Sequence, residues 1–354
     1  MPTLFDPLTI KSVTLRNRIG VSPMCQYSYK DGFSNDWQLV HLGARAAGGA
    51  GLIIAEATAV EPRGRITPFD AGIWSDSHVE PLARVARFIK EQGAVPGIQI
   101  AHAGRKGSTE APWRGGKPVP EGDPLWYAVV GASPIPFAEG YQTPHELSIE
   151  EIKGIQNAFV HGAERACAAG FEWLELHAAH GYLLQSFCSP LSNQRTDAYG
   201  GSFENRTRFL LETVAVVQKV WPDDLPLTVR ISGTEWAEGG WGIEDSVKLA
   251  TLLKQAGVDL VDCSSGGNLA HVKIPFSPGY QVPIASAVRE GAGIAMAAVG
   301  LITEPQQADD IIRNGQADIV LLGREMLRNP YWALHAAKVL GMPGPVPPQY
   351  LRAY

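Results

Sequence analysis

Eight times along the 354 residues a short apolar, β-branched run is followed by a Gly-, Pro- or polar-rich turn and then by a stretch of helical periodicity. The runs are Ile19–Ser22, Leu52–Ala57, Gly97–His102, Trp173–His177, Leu227–Ile231, Leu260–Cys263, Ala295–Val299 and Ile319–Leu322. Strands that are apolar almost throughout are buried on both faces, which places them in a parallel sheet with helices between. Eight such units predict an α/β fold, a closed (β/α)8 TIM barrel, in preference to an open doubly wound sheet. Neither a G-x-G-x-x-G nor a G-x-x-x-x-G-K-[ST] run occurs, so a dinucleotide-binding half and a P-loop both lack support.

Helix ends carry their own signals. Ser148 with Glu151 predicts a capping box ahead of the apolar stripe Ile152, Ile155 and Phe159. Ser202 opens a helix with Leu210, Val214, Val217 and Trp221 on one face, stopped by Pro222. Thr303 and Gln306 predict another box, with Pro305 in the first turn and Asn314-Gly315 at the close. Residues 104–147, rich in Gly, Pro and aromatics, read as an excursion over the barrel mouth, and residues 342–354 as an extended C-terminal arm. With no linker or internal repeat, residues 1–354 are expected to form a single domain.

The formal charge of −6 and the absence of any Lys/Arg run argue against nucleic acid as a partner. Cys25, Cys167, Cys188 and Cys263 are too far apart in sequence for a zinc spacing or a disulfide framework, so reduced thiols are expected and no metal. Met1 to Asn17 lacks the regions of a signal peptide, and no run of about 18 apolar residues occurs. The expectation is a cytoplasmic protein with no membrane partner.

In such a barrel the chemistry sits at the C-terminal strand ends. Strand one ends in Ser22, Pro23, Met24, Cys25 and Tyr27, strand two in Glu56 and Ala57, and strand three holds Gln99 and His102. Strand four ends in His177, His180 and Tyr182, strand five carries Arg230, and strand eight ends in Gly323-Arg324. A lone strand-end histidine is more often structural than catalytic. Two imidazoles that donate to one carbonyl oxygen, beside a phenol that can supply a proton, form a kit for polarising an electrophile. Arg230 inside an apolar strand needs an anionic or acceptor partner. Gly323-Arg324 at a helix start offers free N–H groups to a phosphate.

Taken together, these motifs resemble the Old Yellow Enzyme family of FMN-dependent ene-reductases, in its bacterial thermophilic-like class that includes xenobiotic reductases. The resemblance runs from Leu4-Phe5 to the last residues. It rests on Asn17-Arg18-Ile19 leading to Pro23 through Tyr27, on Glu56 to Val60, and on Gln99 through His102 to Lys106. Glu175 through Tyr182 and Arg195 through Arg206 complete it. The resemblance implies one non-covalent FMN, its phosphate near Gly300, Gly323 and Arg324. Gln99 would bond the pyrimidine edge, Ala57 and the backbone of Ser22, Pro23 and Met24 would frame the ring, and Arg230 would face N1 and C2=O. Cys25 matches the class's thiol near C4=O and N5. NADPH, with NADH as the lesser alternative, would reduce the flavin. An activated alkene, an α,β-unsaturated carbonyl or nitro compound, would then be held by His177 and His180 and protonated by Tyr182, with Tyr27 against the substrate and Trp113 helping to roof the pocket. Gln349 to Arg352 resembles the class's tail, so a homodimer or homotetramer is implied in which Tyr350 and Arg352 line a neighbour's substrate pocket. Ala297-Ala298-Val299 stands where some relatives carry Trp, which alters pocket width.

The rival of another class is a metal-dependent barrel hydrolase using His177, His180 and a carboxylate such as Glu175. On an extended strand, residues three apart point to opposite faces, so both histidines converge only if the chain turns after His177. A flavin-dependent dihydrouridine synthase shares the barrel but acts on RNA, which the net acidity disfavours.

Overall fold

The computed structural model describes residues 1–354, and in it eight parallel strands close on themselves. They are β1 (Ile19–Val21), β2 (Leu52–Ala59), β3 (Val95–Ala101), β4 (Trp173–Ala178), β5 (Leu227–Ser232), β6 (Leu260–Ser264), β7 (Ala295–Ala298) and β8 (Ile319–Leu322). Leu321 of β8 pairs with Gly20 of β1, and Gly20 in turn with Leu52 of β2, so the sheet has no open edge. Between and after them run α1 (Asp36–Ala47), α2 (Val79–Glu91), α3 (Ile149–Ala168), α4 (Phe203–Val217), α5 (Ile243–Gln255), α6 (Val282–Ala292), α7 (Pro305–Arg313) and α8 (Trp332–Leu340). This is the (β/α)8 barrel expected from the sequence, with strand ends displaced by one or two residues.

One end of the barrel is shut. A hairpin of Leu8–Ile10 with Val13–Leu15 lies across the N-terminal end, where Val13 and Leu15 pack against Leu52, Trp173, Leu260 and Ile319. The C-terminal end stays open and polar. There the β2–β3 register shifts between Ala55 and Thr58, a bulge beside which Ala57 lines the mouth while Glu56 is buried against Gln26 and Tyr29. Two short helices, Leu183–Cys188 and Arg324–Arg328, are added directly after β4 and β8 at the same end.

The Ser148 box forms as expected, with Ser148 Oγ accepting from Glu151 N–H at 3.1 Å and Glu151 Oε2 accepting from Ser148 N–H at 2.8 Å. The Thr303/Gln306 box does not form. Pro305 takes the first helical position, so Glu304 becomes the cap residue, and Thr303 N–H donates instead to Gln307 Oε1 at 3.2 Å, one position later. α4 ends at Val217 rather than running to Pro222, and residues 218–220 follow it as turns.

The 104–147 excursion is built of short turns and is tied across the mouth. Buried Arg105 donates to the Asn268 backbone carbonyl at 2.7 Å and to its side chain at 2.9 Å, joining the excursion to the loop after β6. At the C-terminus, Pro348–Ala353 forms an exposed 3-10 turn.

Candidate active site

The strand ends surround a cavity of about 360 Å3 at the open mouth. Ser22, Pro23, Met24, Cys25 and Tyr27 enter it after β1, Ala57 from β2 and Gln99 from β3. His177, His180 and Tyr182 come from β4 and the turn beyond it, Arg230 from β5, Gly300 after β7, and Gly323 and Arg324 after β8. Of the strand-end residues singled out from sequence, Glu56 and His102 stay outside this lining, Glu56 against Gln26 and Tyr29 and His102 with its Nε2 2.9 Å from Glu61 Oε1; the others are brought to one place. Tyr350 and Arg352 do not line this chain's own cavity; the Tyr350 hydroxyl lies 3.2 Å from that of Tyr331, and Arg352 is exposed. Trp113 is two-thirds exposed and packs edge-on against Tyr27, ring centres 5.7 Å apart, outside the cavity lining.

The two histidines converge because the strand stops between them. β4 ends at Ala178, and His180 takes φ +60° and Gly181 φ +74°. A side chain at Gly181 would meet the Gly267 carbonyl at 2.5 Å, so only glycine fits the turn. Lys106 secures it by donating from Nζ to the carbonyls of His180 and Gly267, both at 2.8 Å. The result is a cluster with His177 and His180 ring centres 5.2 Å apart and His177 and Tyr182 4.9 Å apart, all edge-to-face.

Burial, then the charges of Arg230 and Lys106, hold the His177 imidazole well below its usual range, and burial does the same for His180. Both rings are therefore neutral. His177 Nδ1 accepts from the Ala179 N–H at 3.2 Å, which leaves its proton on Nε2. His180 Nε2 lies 2.7 Å from Ser264 Oγ. Burial raises the Tyr182 phenol well above its ordinary value, so it keeps its proton.

Burial, followed by the charges of Asp70 and Glu56, raises the Cys25 thiol. It stands as a protonated thiol rather than a thiolate. Beneath this loop, Glu56 accepts from the Gln26 N–H at 2.6 Å and from the Tyr29 hydroxyl at 3.1 Å. Burial pushes the Glu56 carboxyl up to about 8, above its value of about 4.3 in an unfolded chain. The unfolded chain therefore releases this proton first, and the stability Glu56 contributes declines as pH rises from about 4.3 towards 8. Glu56→Gln, which keeps an acceptor oxygen, is expected to melt with a shallower pH dependence than the parent across that window. Parallel melting curves from calorimetry would contradict this.

On the floor, Gln99 Nε2 donates to Glu175 Oε1 at 2.7 Å, and Arg230 Nη1 donates to Ser22 Oγ at 3.1 Å. On the side between β7 and β8 the wall opens around Gly300 and Gly323. Gly300 has φ +127°, and a Cβ there would meet Gln281 Nε2 at 2.8 Å; a Cβ at Gly323 would project into open space, nearest Met24 Sδ at 3.7 Å. Arg324 stands beside this opening, and Arg328 pairs with Glu325 there.

Several lining residues escape the sequence reading. Ser264 immediately follows the apolar part of β6, and inspecting that strand end as the others were inspected finds it. Tyr280, Gln281 and Arg328 come from a loop, a helix start and a short helix that no strand-end signal marks. Lys106 lies within a motif noted above, but its role depends on the fold of the distant Gly267 loop.

A barrel mouth with a buried cation on its floor, a cationic notch backed by glycines and apolar walls between them is built for a flat cofactor that ends in a phosphate. The comparisons with known proteins agree. The model of the NADH:flavin oxidoreductase / NADH oxidase family matches residues 3–341. An NADPH dehydrogenase of Bacillus subtilis (strain 168) is 48% identical over 353 residues, 99% of each chain. Among solved structures, morphinone reductase superposes with a TM-score of 0.78 at 28% identity, over 97% of this chain and 91% of its own. The old yellow enzyme from Trypanosoma cruzi gives 0.80 at 26% identity, over 97% and 94%. The chain belongs to the NADH:flavin oxidoreductase / NADH oxidase family, as a member of the Old Yellow Enzyme group. It is an oxidoreductase with FMN as cofactor and NADPH as reductant. The cavity suits that cofactor, since Arg324 has no carboxylate partner, Gly300 takes a conformation and a spacing that only glycine allows, and a Cβ at Gly323 would meet only Met24 Sδ, at 3.7 Å.

Proposed function

We propose that this protein is an ene-reductase, reducing the C=C bond of an α,β-unsaturated carbonyl or nitro compound with NADPH at a single cavity. The observation that carries the reading is the pair of neutral imidazoles, His177 and His180, set beside a protonated Tyr182 within the cavity. Bound FMN supplies the two-electron hydride relay between the two substrates. Ser22, Pro23, Met24, Cys25 and Ala57 would wall it, Gln99 and Arg230 would meet its polar edge, and Gly300, Gly323 and Arg324 would hold its phosphate without a covalent tether.

The imidazole N–H groups bind the carbonyl or nitro oxygen and withdraw electrons from the β-carbon, where hydride arrives. Tyr182 keeps its proton until the α-carbon takes it, and Tyr27 bounds the substrate on the β1 side. NADPH needs no domain of its own if it occupies the same mouth in turn; a solved morphinone reductase holds tetrahydroNAD, in keeping with this. The hydrolase reading finds no support, because the family is one of flavin oxidoreductases and no three His, Cys, Asp or Glu side chains gather to hold a metal.

Tyr182→Phe tests the reading. Loss of a general acid typically costs about 10²–10⁴-fold. The reoxidation of reduced holoenzyme by cyclohexenone should slow by that order in stopped flow, while reduction by NADPH keeps its rate. Equal slowing of both halves would contradict the role.

The same reading includes a homodimer or homotetramer in the cytoplasm. The tail supports the assembly: four prolines between 343 and 348 stiffen it, and Leu351, Arg352 and Tyr354 are exposed beyond them. No helix is long and apolar enough to cross a membrane. Tyr350 and Arg352 then act in a neighbour's substrate pocket. Removing residues 346–354 is expected to lower activity and alter substrate preference with FMN retained. Mixing tail-deleted chains with an excess of His177→Ala/His180→Ala chains restores activity if the tail acts in trans; no restoration in verified hetero-oligomers would exclude it.

A further inference from the structure

One layer below the cavity, the barrel interior holds a polar cluster that the proposed mechanism leaves unused. Glu175 of β4 lies opposite Gln99 of β3, and Arg230 of β5 lies opposite Asp262 of β6. Glu175 and Asp262 are both 0% exposed. One guanidinium thus stands against two carboxyl groups in a dry interior, paired with Asp262 and acting on Glu175 through its charge.

The donors do not suffice for two carboxylates. Gln99 Nε2 satisfies Glu175 Oε1, whereas Glu175 Oε2 and both Asp262 oxygens have no hydrogen-bond donor. Arg230 Nε lies 3.1 Å from Asp262 Oδ2, an ion pair without hydrogen-bond alignment. Two ionised carboxylates here would leave one negative charge uncompensated and most of their lone pairs unpaired, an arrangement that proteins avoid by neutralising a group.

We propose that Glu175 and Asp262 hold a single proton between them at neutral pH, and that loss of this proton makes the FMN above them harder to reduce. The charge balance is direct. With one proton, the remaining carboxylate cancels Arg230 and the cluster is neutral. Without it, a net negative charge lies under a cofactor whose two-electron reduction adds negative charge of its own, and like charges in a low-dielectric interior repel strongly. Glu175 and Asp262 are positioning residues that set the charge below Gln99 and Arg230, the two side chains of this layer that reach the cavity.

The surroundings agree. Burial, then Asp262, pushes the Glu175 carboxyl up against the opposing pull of Arg230 and Gln99, and burial raises Asp262 against Arg230. The charged or titratable groups near the pair are Arg230 from β5, His177 one layer up on β4, which burial and Arg230 keep neutral, and the neighbouring Cys263 thiol of β6, which burial and then Asp262 push up to about 12 and so keep protonated. β1 contributes Ser22 to Arg230, while β2, β7 and β8 offer Ile54, Ala297 and Leu321, which carry no charge.

Linkage makes the effect reciprocal: if the proton favours reduction, reduction tightens the proton. Hydride from NADPH delivers two electrons and one proton. While the pair is protonated no other proton is needed, so one proton accompanies two electrons. Once the pair has lost its proton, reduction draws a second from solvent and reoxidation returns it.

The inference rests on FMN lying in this cavity, and the experiment separates the two. Midpoint potentials of the holoenzyme are measured from neutral to alkaline pH. The wild type is expected to show a break above which the potential falls twice as steeply with pH. Glu175→Gln, which retains an acceptor for Gln99, is expected to show no break and to be easier to reduce than wild type at alkaline pH. Infrared difference spectra of the same proteins are expected to show an un-ionised carboxylic acid band in wild type at neutral pH that Glu175→Gln loses, over and above the band from Glu56. Asp262→Asn serves if Glu175→Gln does not fold: Glu175 then ionises against Arg230, and both the break and the band disappear. A wild type without the break, variants that keep it, or an unchanged band would overturn the proposal. Protein that binds no FMN yet shows the band would sink the functional reading and leave the shared proton standing.

Discussion

His177→Ala or His180→Ala is expected to lower the rate of the proposed enone reduction about 10²–10³-fold, equivalent to about 2.7–4 kcal/mol of transition-state stabilisation, while FMN retention changes far less. The size follows from the setting. Each ring is neutral, His177 buried and His180 half-buried in the cavity wall, so its N–H acts in a partly desolvated setting where the rings' positions are already fixed. His180 is fixed through its main chain, its N–H donating to Ser232 Oγ at 2.9 Å and its carbonyl held by Lys106. No solvent donor can take that place without paying to be ordered. Single-turnover reoxidation of reduced holoenzyme by cyclohexenone, with phenol affinity measured alongside, reads the effect. Wild-type turnover in either variant would remove the histidines from the mechanism.

Arg230→Met is expected to cost about 3–5 kcal/mol of stability, the usual consequence of stripping one partner from a buried ion pair. The arginine is 5% exposed and is the one cation beside Asp262 and Glu175. Methionine fills much of its volume but leaves both carboxyls without a counter-charge. They escape by taking up protons, which raises their folded-state values further above those of the unfolded chain. Stability of the variant therefore falls as pH rises, and the deficit against wild type is smaller in acid than at neutral pH. Denaturant unfolding at two pH values, with flavin content measured at each, tests this. A variant as stable as wild type at neutral pH would contradict the ionic account of the barrel floor.

The barrel was legible because strands buried on both faces must be apolar, so that polar interruptions such as Gln99, Glu175 and Arg230 stand out against Leu, Ile and Val. The same contrast marked most of the site, since catalytic groups in this architecture lie at strand ends that can be counted along the chain. What escaped depends on loop paths. The approach of His180 to His177 requires a left-handed residue, a glycine and a lysine from the excursion after β3, none of which alternation or periodicity reports. Tyr280 and Gln281 reach the cavity only because the loop after β6 turns back over the mouth. The α7 cap was misplaced by one residue because Pro305 fixes the helix start more firmly than a Thr/Gln pair does. Pairing of Glu175 with Asp262 is a matter of register across two strand gaps, which only the closed sheet reveals.

Under the proposed function, one FMN per chain passes hydride from NADPH to an activated alkene at the His177, His180 and Tyr182 cavity. Anaerobic titration of the purified protein is expected to show a yellow protein that releases FMN on denaturation, is bleached by one equivalent of NADPH, and regains its colour with one equivalent of cyclohexenone, yielding cyclohexanone. A protein without flavin, or one that NADPH bleaches but that no enone or nitroalkene re-oxidises, would contradict it.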